Sequence, residues 1–316
     1  MNNFGNWKTD NYKFVGKAFD FAYANNIKKL MPILGEVTAN SVDYELTGAG
    51  GYGELMPYDG SNLNMTSQKR GFKTIITPEE FASSFAVSYK AAKIDKLGET
   101  KKVGTRLGDS AATSVYLHAL RMFARAFNPE YKGGDGKPWA AADHPVASLG
   151  SNGRTFTADP EAGTYSNLIS DTFSVSAITA AQAMANRFVT PDGLPFACEF
   201  DTVIIAPELE EKAKKMFGEN SRLMPALDPE SSNNAANPVY GMKYIVMGGG
   251  RDGFTAKQWA VCDREKMKEL VNIVYNTRPT VLNNELDNPL LDMYTAYADF
   301  GCGWGDARQI IFSDPS

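Results

Sequence analysis

The chain has 316 residues, 43% of them hydrophobic and 22% charged, with a formal net charge of −5. That length fills one large domain or two ordinary ones, and the apolar share argues against global disorder. The acidic balance argues against a protein that coats nucleic acid by neutralising phosphates, although it leaves room for one basic face.

No run of about 18 apolar residues is present, so no transmembrane helix is expected. The start, MNNFGNWKTDNYKFVGKAF, lacks a signal-peptide layout. Cys198, Cys262 and Cys302 are far apart and form no CxxC pair, which argues against a zinc ribbon or disulfide scaffold and fits a reducing cytoplasm.

In chain order, residues 1–30 mix small, polar and aromatic side chains, among them Trp7, Tyr12, Phe14, Phe19 and Phe21. Two readings stay open there: a first helix packed on its own domain, or an arm whose aromatics bury against a neighbour. VDYEL then alternates as a strand with one wet face should, TGAGGYGELMPYDGSN is glycine-rich turn sequence, and QKRGFKTIIT is strand-like again. Such a two-stranded excursion is only marginally stable alone in water. It therefore points to a partner surface.

Residues 77–127 carry the strongest helical signal. Thr77, Pro78 and Glu80 read as an N-cap, a first-turn proline and a capping-box acid. Val103, Leu107, Ala111, Val115 and Met122 follow helical spacing further on. Gly104 and Gly108 weaken the first turns of that helix, and His118 within it is expected to be packed or at the surface.

Residues 128–170 read as a long loop of functional or interface-forming length. A second helix is expected within 171–189. FDTVIIA is a short buried strand, and PELEEKAKKMFG is a helix with Glu210–Lys214 and Glu211–Lys215 pairs. Strands follow in GMKYIVMGG, KQWAVCD, VNIVYNTRPTVL and the tail, so the C-terminal half is mixed α/β.

Chemistry is sparse. Only His118 and His144 are available as bases, and neither accompanies a GxSxG elbow, an HExxH pair or a GxxxxGK[ST] phosphate loop. GAGGYGEL is not followed by a helix that could receive a pyrophosphate. The motif DGKPWAAADHPV offers Asp135, Asp143 and His144 as formal metal ligands. The alternative is a loop stiffened by Pro138 and Pro145, with Trp139 in a core and His144 hydrogen-bonded to backbone. No catalytic, cofactor-binding or metal residue is assigned.

The order of parts, together with GFKTIITPEEFASSFAVS, GGDGKPWAAADHPVASLGSNG, VTPDGLPFACEFDTVIIAPELEEKAKKMF, NPVYGMKYIVM, QWAVCDRE and ADFGCGWGDARQIIFSDPS, resembles the major capsid proteins of tailed double-stranded DNA phages, and among them the Mu-like major head subunits. The resemblance spans essentially the whole chain. It implies an α+β capsid fold with an N-terminal arm (1–33) and an extended β-hairpin loop (34–76). A peripheral domain (77–170 and 281–316) would hold a spine helix at 100–127, and a mixed α/β axial domain would span 171–280.

It further implies a non-enzymatic subunit that forms pentamers and hexamers of an icosahedral or prolate shell around phage DNA. The expected partners are further copies of the chain, a separate scaffolding protein, a portal and decoration proteins. Packaged DNA would be touched weakly and without sequence preference, and no membrane would be involved. Assembly would occur in the host bacterial cytoplasm, with the mature protein in the virion. Trp7, Gly50, Gly51, Tyr52, Tyr58, Lys69, Trp139 and His144 are the candidate inter-subunit contacts. Two alternatives are an encapsulin-like nanocompartment shell and, in another class, a metal-dependent hydrolase centred on Asp143 and His144.

Overall fold

The computed structural model describes residues 4–27, 32–48, 58, 60, 71–94, 98–149, 156–158, 163–191, 194–218, 223–224, 235–248, 252–284 and 290–315. Among the described residues the α-helices run in the order α1 (Phe4–Ile27), α2 (Tyr89–Lys93), α3 (Glu99–Ala124), α4 (Val175–Ala185), α5 (Glu210–Phe217) and α6 (Arg264–Leu270). The principal strands are β1 (Gly35–Thr38), β2 (Tyr44–Thr47), β3 (Lys73–Ile76), β4 (Glu79–Ser88), β5 (Leu168–Ile169), β6 (Thr202–Ile205), β7 (Lys243–Val246), β8 (Trp259–Cys262), β9 (Val271–Asn284), β10 (Leu291–Trp304) and β11 (Ile310–Ser313). The chain divides into two compact units, one of residues 1–44, 76–119 and 272–302, the other of 45–75, 120–271 and 303–316. Among the described residues no helix is long and apolar enough to cross a membrane.

The first unit holds a four-stranded sheet in the order β1-β9-β10-β4. β1 runs parallel to β9 from Gly35↔Asn272 to Thr38↔Tyr275. Pro279 lies beyond that stretch, where its missing N–H costs no bond to β1. β4 runs antiparallel to β10 over ten residues.

The helix expected from Thr77 onward is therefore a strand at its start. Thr77 does not cap a helix; its hydroxyl donates to Asp43 Oδ1 at 2.6 Å. Phe81, Ser83, Phe85 and Val87 alternate onto one face, and a ten-residue partner strand outweighs the local helix signal. Helical structure begins only at Ser88, whose hydroxyl accepts from Ala91 N at 3.2 Å.

α1 packs one of its faces within its own unit. Val15, Phe19 and Val103, Leu107 share a core with Val87, Val281 and Tyr294. A Cβ added to Gly104 would lie 2.5 Å from Val15 O, and one added to Gly108 would lie 2.5 Å from Phe19 O. The two glycines are thus the contact at which α3 meets the α1 backbone, a use that outweighs their cost in helix propensity. The Tyr12 hydroxyl donates to Val281 O at 3.0 Å, tying α1 to β9. Phe14 and Phe21, seven residues apart, stay exposed at 50% and 72%. His118 packs between Phe81 and Phe300, with ring centroids 4.6 and 5.3 Å away.

The second unit is built on a five-stranded mixed sheet in the order β7-β6-β8-β11-β5. All four residues of β6, β8 and β11 are buried, as near-continuous apolar runs require of central strands. α4 starts at Ser174, whose hydroxyl accepts from Ala177 N at 3.2 Å, and its Ile178 and Ala181 enter the core beside Phe173, Phe217 and Trp259. The expected Glu210–Lys214 and Glu211–Lys215 pairs both form at 2.6 Å. α6 is capped by Asp263, whose carboxylate accepts from Glu265 N and Lys266 N and also from Glu199 N.

Candidate assembly site: the 128–170 segment and the root of the hairpin

Two features of the second unit hold the residues the sequence singled out. The first is the segment after α3. It is not structureless: His144–Pro145 pairs with Thr164–Tyr165, and Ala147–Leu149 pairs with Phe156–Ala158. Its centre is Asn167, fully buried. The Asn167 carboxamide oxygen accepts from Ala141 N at 2.9 Å and from His144 Nε2 at 3.1 Å. Its amide nitrogen donates to Trp139 O at 2.7 Å and Ala307 O at 3.1 Å. Every hydrogen-bonding direction of one buried side chain is used, and the bonds join the loop to the C-terminal segment.

His144, 0% exposed, has Nδ1 2.6 Å from Asp135 Oδ2. His144 Nε2 also lies 3.3 Å from Trp139 O, so both ring nitrogens face oxygen atoms. Tyr165 stacks on the ring at 5.2 Å. Burial pushes the Tyr165 phenol well above its ordinary value.

Asp143 does not join this group. It is exposed and pairs with Lys137, whose ammonium holds the carboxyl below the usual carboxylate range. Asp135, Asp143 and His144 are therefore not gathered around one point. Among the described residues no group of three or more His, Cys, Asp or Glu side chains is placed to hold a metal. The hydrolase reading has no donor set there.

Trp139 is 1% exposed and lies in an aromatic cluster, stacked on Trp304 at 5.7 Å and 5.1 Å from Phe312. The side chains of Trp139 and His144 are enclosed by the chain's own residues. As packed, they offer no surface to a neighbour, which departs from their expected role as direct contacts. What they do is fix the loop's shape.

Next to them lies a buried ion pair the sequence reading missed. Arg308 grips Asp306 through Nε–Oδ1 at 2.9 Å and Nη2–Oδ2 at 2.5 Å, and its Nη1 donates to Val189 O at 2.6 Å. Burial opposes the charge on Arg308, but the adjacent Asp306 carboxylate more than compensates and raises it above the ordinary guanidinium value. The signal was a carboxylate and an arginine two residues apart between buried strands, in GDARQII, a pattern also common in exposed turns.

The second feature is the root of the glycine-rich excursion. β2 and β3 pair, with Gly48 N donating to Phe72 O at 2.9 Å and Lys73 paired to Glu45. A Cβ on Gly71 would fall 2.6 Å from the Gly48 carbonyl carbon, and one on Gly48 would fall 2.7 Å from Gly305 O. Three backbones meet where only glycine fits. Gly134 holds the other side: its N–H donates to Thr74 Oγ1 at 3.1 Å, and a Cβ there would lie 2.2 Å from Lys73 O.

Of the candidate contact residues, Tyr58 is 65% exposed. Gly50, Gly51, Tyr52 and Lys69 lie outside the described residues, as does the side chain of Trp7.

The family model described as phage capsid protein matches residues 71–311. The fold is shared with solved structures at low identity. The capsid of the cyanophage P-SCSP1u is 11% identical, with 90% of this chain and 87% of that chain covered at a TM-score of 0.55. The capsid of a native GTA particle, solved with C5 symmetry, is 11% identical, with 92% and 90% covered at 0.53. A virus-like particle from Pyrococcus furiosus is 8% identical, with 96% and 99% covered at 0.52. No curated protein matches the sequence.

Proposed function

The chain belongs to the phage capsid protein family, and from that premise we propose that it is the major head subunit, occupying pentamers and hexamers of a closed icosahedral or prolate shell around double-stranded DNA. Family membership makes it a structural component of a virion shell. The single observation that carries the finer reading is the family match over residues 71–311, together with capsid-type folds that cover most of both chains. Within the family, the motifs quoted above favour the Mu-like branch.

In this reading residues 34–76 form the extended loop. Its root is clamped by Gly48, Gly71 and Gly134, so a reach toward a neighbour would start from a fixed point. Residues 1–33 serve as the arm, with exposed Phe14 and Phe21 available to a second copy. α3 is the spine, residues 77–170 and 281–316 complete the peripheral domain, and 171–280 form the axial domain. Trp7, Gly50, Gly51, Tyr52, Tyr58 and Lys69 remain the proposed contact residues, while Trp139 and His144 act by shaping the loop around them. A separate scaffolding protein, a portal and decoration proteins complete the head, which assembles in the host cytoplasm. The acidic net charge keeps contact with packaged DNA weak.

The test is the content of particles that carry this chain. Particles in which it is the most abundant protein and which enclose nuclease-protected double-stranded DNA are expected. Particles filled with one protein cargo and free of DNA would instead make it a nanocompartment shell.

A further inference from the structure

β4 forms one edge of the four-stranded sheet, and among the described residues no strand lies on its outer side. It pairs with β10 without a break from Glu79↔Phe300 to Ser88↔Leu291. Of its ten residues only Val87 is buried, and Phe85 is 49% exposed. An edge strand presents a row of unpaired N–H and C=O groups, and proteins usually blunt it with lysine, proline, a bulge or short length.

From Phe81 to Ser88 the sequence FASSFAVS has no charge, no proline and no glycine. The opposite edge is handled differently: β1 is four residues long and carries Glu36, paired with Arg278 at 2.7 Å. A long, uncharged, unbroken edge is an association hazard unless something covers it.

The face of β4 toward α3 supplies a second observation. A groove of about 180 Å³ runs there, lined by Phe81 and Ser83 of β4, Ser110, Ala111 and Ser114 of α3, and Ala298 of β10. Most of its walls are small side chains, with Leu107 and Tyr297 beside them, and its aromatic floor is Phe81 packed on Phe300 at 4.7 Å. A strand laid along β4 would bond through its main chain and place alternate side chains on the α3 side, next to this groove.

We propose that in the assembled shell β4 pairs with a strand from a second copy of this chain, extending the sheet across a subunit contact. This rests on the capsid reading, which is what places identical neighbours around every subunit. An edge unguarded in every copy would otherwise associate without closure, so a symmetric shell needs it filled by a defined segment of a neighbour. The only charges on β4, Glu79 and Glu80, sit at its first two positions.

Hydrogen–deuterium exchange of β4 amides, compared between dissociated subunits and assembled particles, tests the inference. Outward-facing amides, about half of the strand, exchange quickly in the subunit and at least tenfold more slowly in particles. A paired substitution supports the reading. Successive N–H groups of a strand point to opposite edges, so Ala82→Pro and Ser83→Pro separate the two sides. One lowers the melting temperature by breaking the bond to β10; the other leaves it unchanged and cuts particle yield at least about tenfold.

Particles whose β4 amides exchange as in the free subunit overturn the inference and leave the capsid reading standing. So does equal protection in the free subunit, because the chain then covers its own edge. Failure to form any particle or capsomer overturns the capsid reading, and the inference with it.

Discussion

The segment after α3 and the strand β4 reverse the usual link between regularity and closure. Residues 128–149 and 163–170 contain only short strands of two or three residues, yet Asn167, His144 and Asp135 bond to one another inside a buried network. β4 is a regular ten-residue strand in unbroken register, yet one of its sides has no partner strand among the described residues. Asn167, His144 and Asp135 find their partners within one chain, although the buried Trp139 Nε1 does not, whereas the outer side of the regular strand has no partner strand among the described residues. A shell subunit needs both kinds of surface. Parts that must look alike in every copy are fixed by internal bonds, and parts that build the lattice leave backbone groups for a neighbour. Secondary structure alone does not tell which is which; the accounting of hydrogen bonds does.

Substitutions that open the closed region should give the largest effects. Arg308→Met leaves Asp306 buried without its cation and is expected to cost about 3–5 kcal/mol, while replacing both members with apolar residues recovers most of that loss. Equilibrium urea unfolding checks it, and equal losses in the single and double variants would contradict a paired role.

Asn167→Ala strands Ala307 O and Ala141 N, leaves Trp139 O only the 3.3 Å approach of His144 Nε2, and is expected to cost about 3 kcal/mol. His144→Ala should cost less, since Asp135 keeps the Lys137 N–H and Asn167 keeps its bond from Ala141 N. Denaturant midpoints of the two variants would test that order.

Close backbone approach comes next. Gly104→Ala raises helix propensity by about 1 kcal/mol. The new methyl would nevertheless press on Val15 O, so a net loss of about 1–2 kcal/mol is expected from overpacking. A stabilised variant would show that α1 does not sit on α3 as described.

A smaller and slower change is expected with pH. Burial pushes the Cys198 thiol up to about 11 and the Cys302 thiol up to about 12, from an ordinary value of 9.0. Between those values and 9 the unfolded chain has released protons that the folded chain retains. Stability therefore holds below about pH 9 and falls as pH rises toward 12. Melting curves from pH 7 to 11 read this directly, and a rise in melting temperature above pH 9 would contradict it.

The least effect on the free subunit belongs to the open region. Ala86→Lys on β4 should change subunit stability by less than about 0.5 kcal/mol. The same change should suppress assembly, read as particle yield by light scattering. Normal yield would mean that this edge does not contribute to the lattice.

Much of the architecture was legible in the sequence. The buried strand TVII, the helix PELEEKAKKMF with proline at its start and glycine after its end, and the long strands near the C-terminus carry periodicity and end signals that need no tertiary context. The misreading at 77–88 has a physical cause. Thr77, Pro78 and Glu80 spell a helix start locally, but pairing with ten residues of β10, more than two hundred positions away, decides the outcome. Gly104 and Gly108 read as helix weakeners because their value lies in a neighbour that only the fold reveals. Asn167 carried no signal at all, as one asparagine in a polar stretch reads like any other. The motif around His144 drew attention for its histidine. The structure assigns the residue to shaping the loop, the alternative that the surrounding prolines and Trp139 already offered.

The most direct test of the central claim is the solution mass of the purified chain, read with electron micrographs of the same sample. Pentamers, hexamers or closed shells are predicted, with assembly increasing when a cognate scaffolding protein is present. A single species of 34.5 kDa that persists at high concentration and in the presence of that partner would contradict the account.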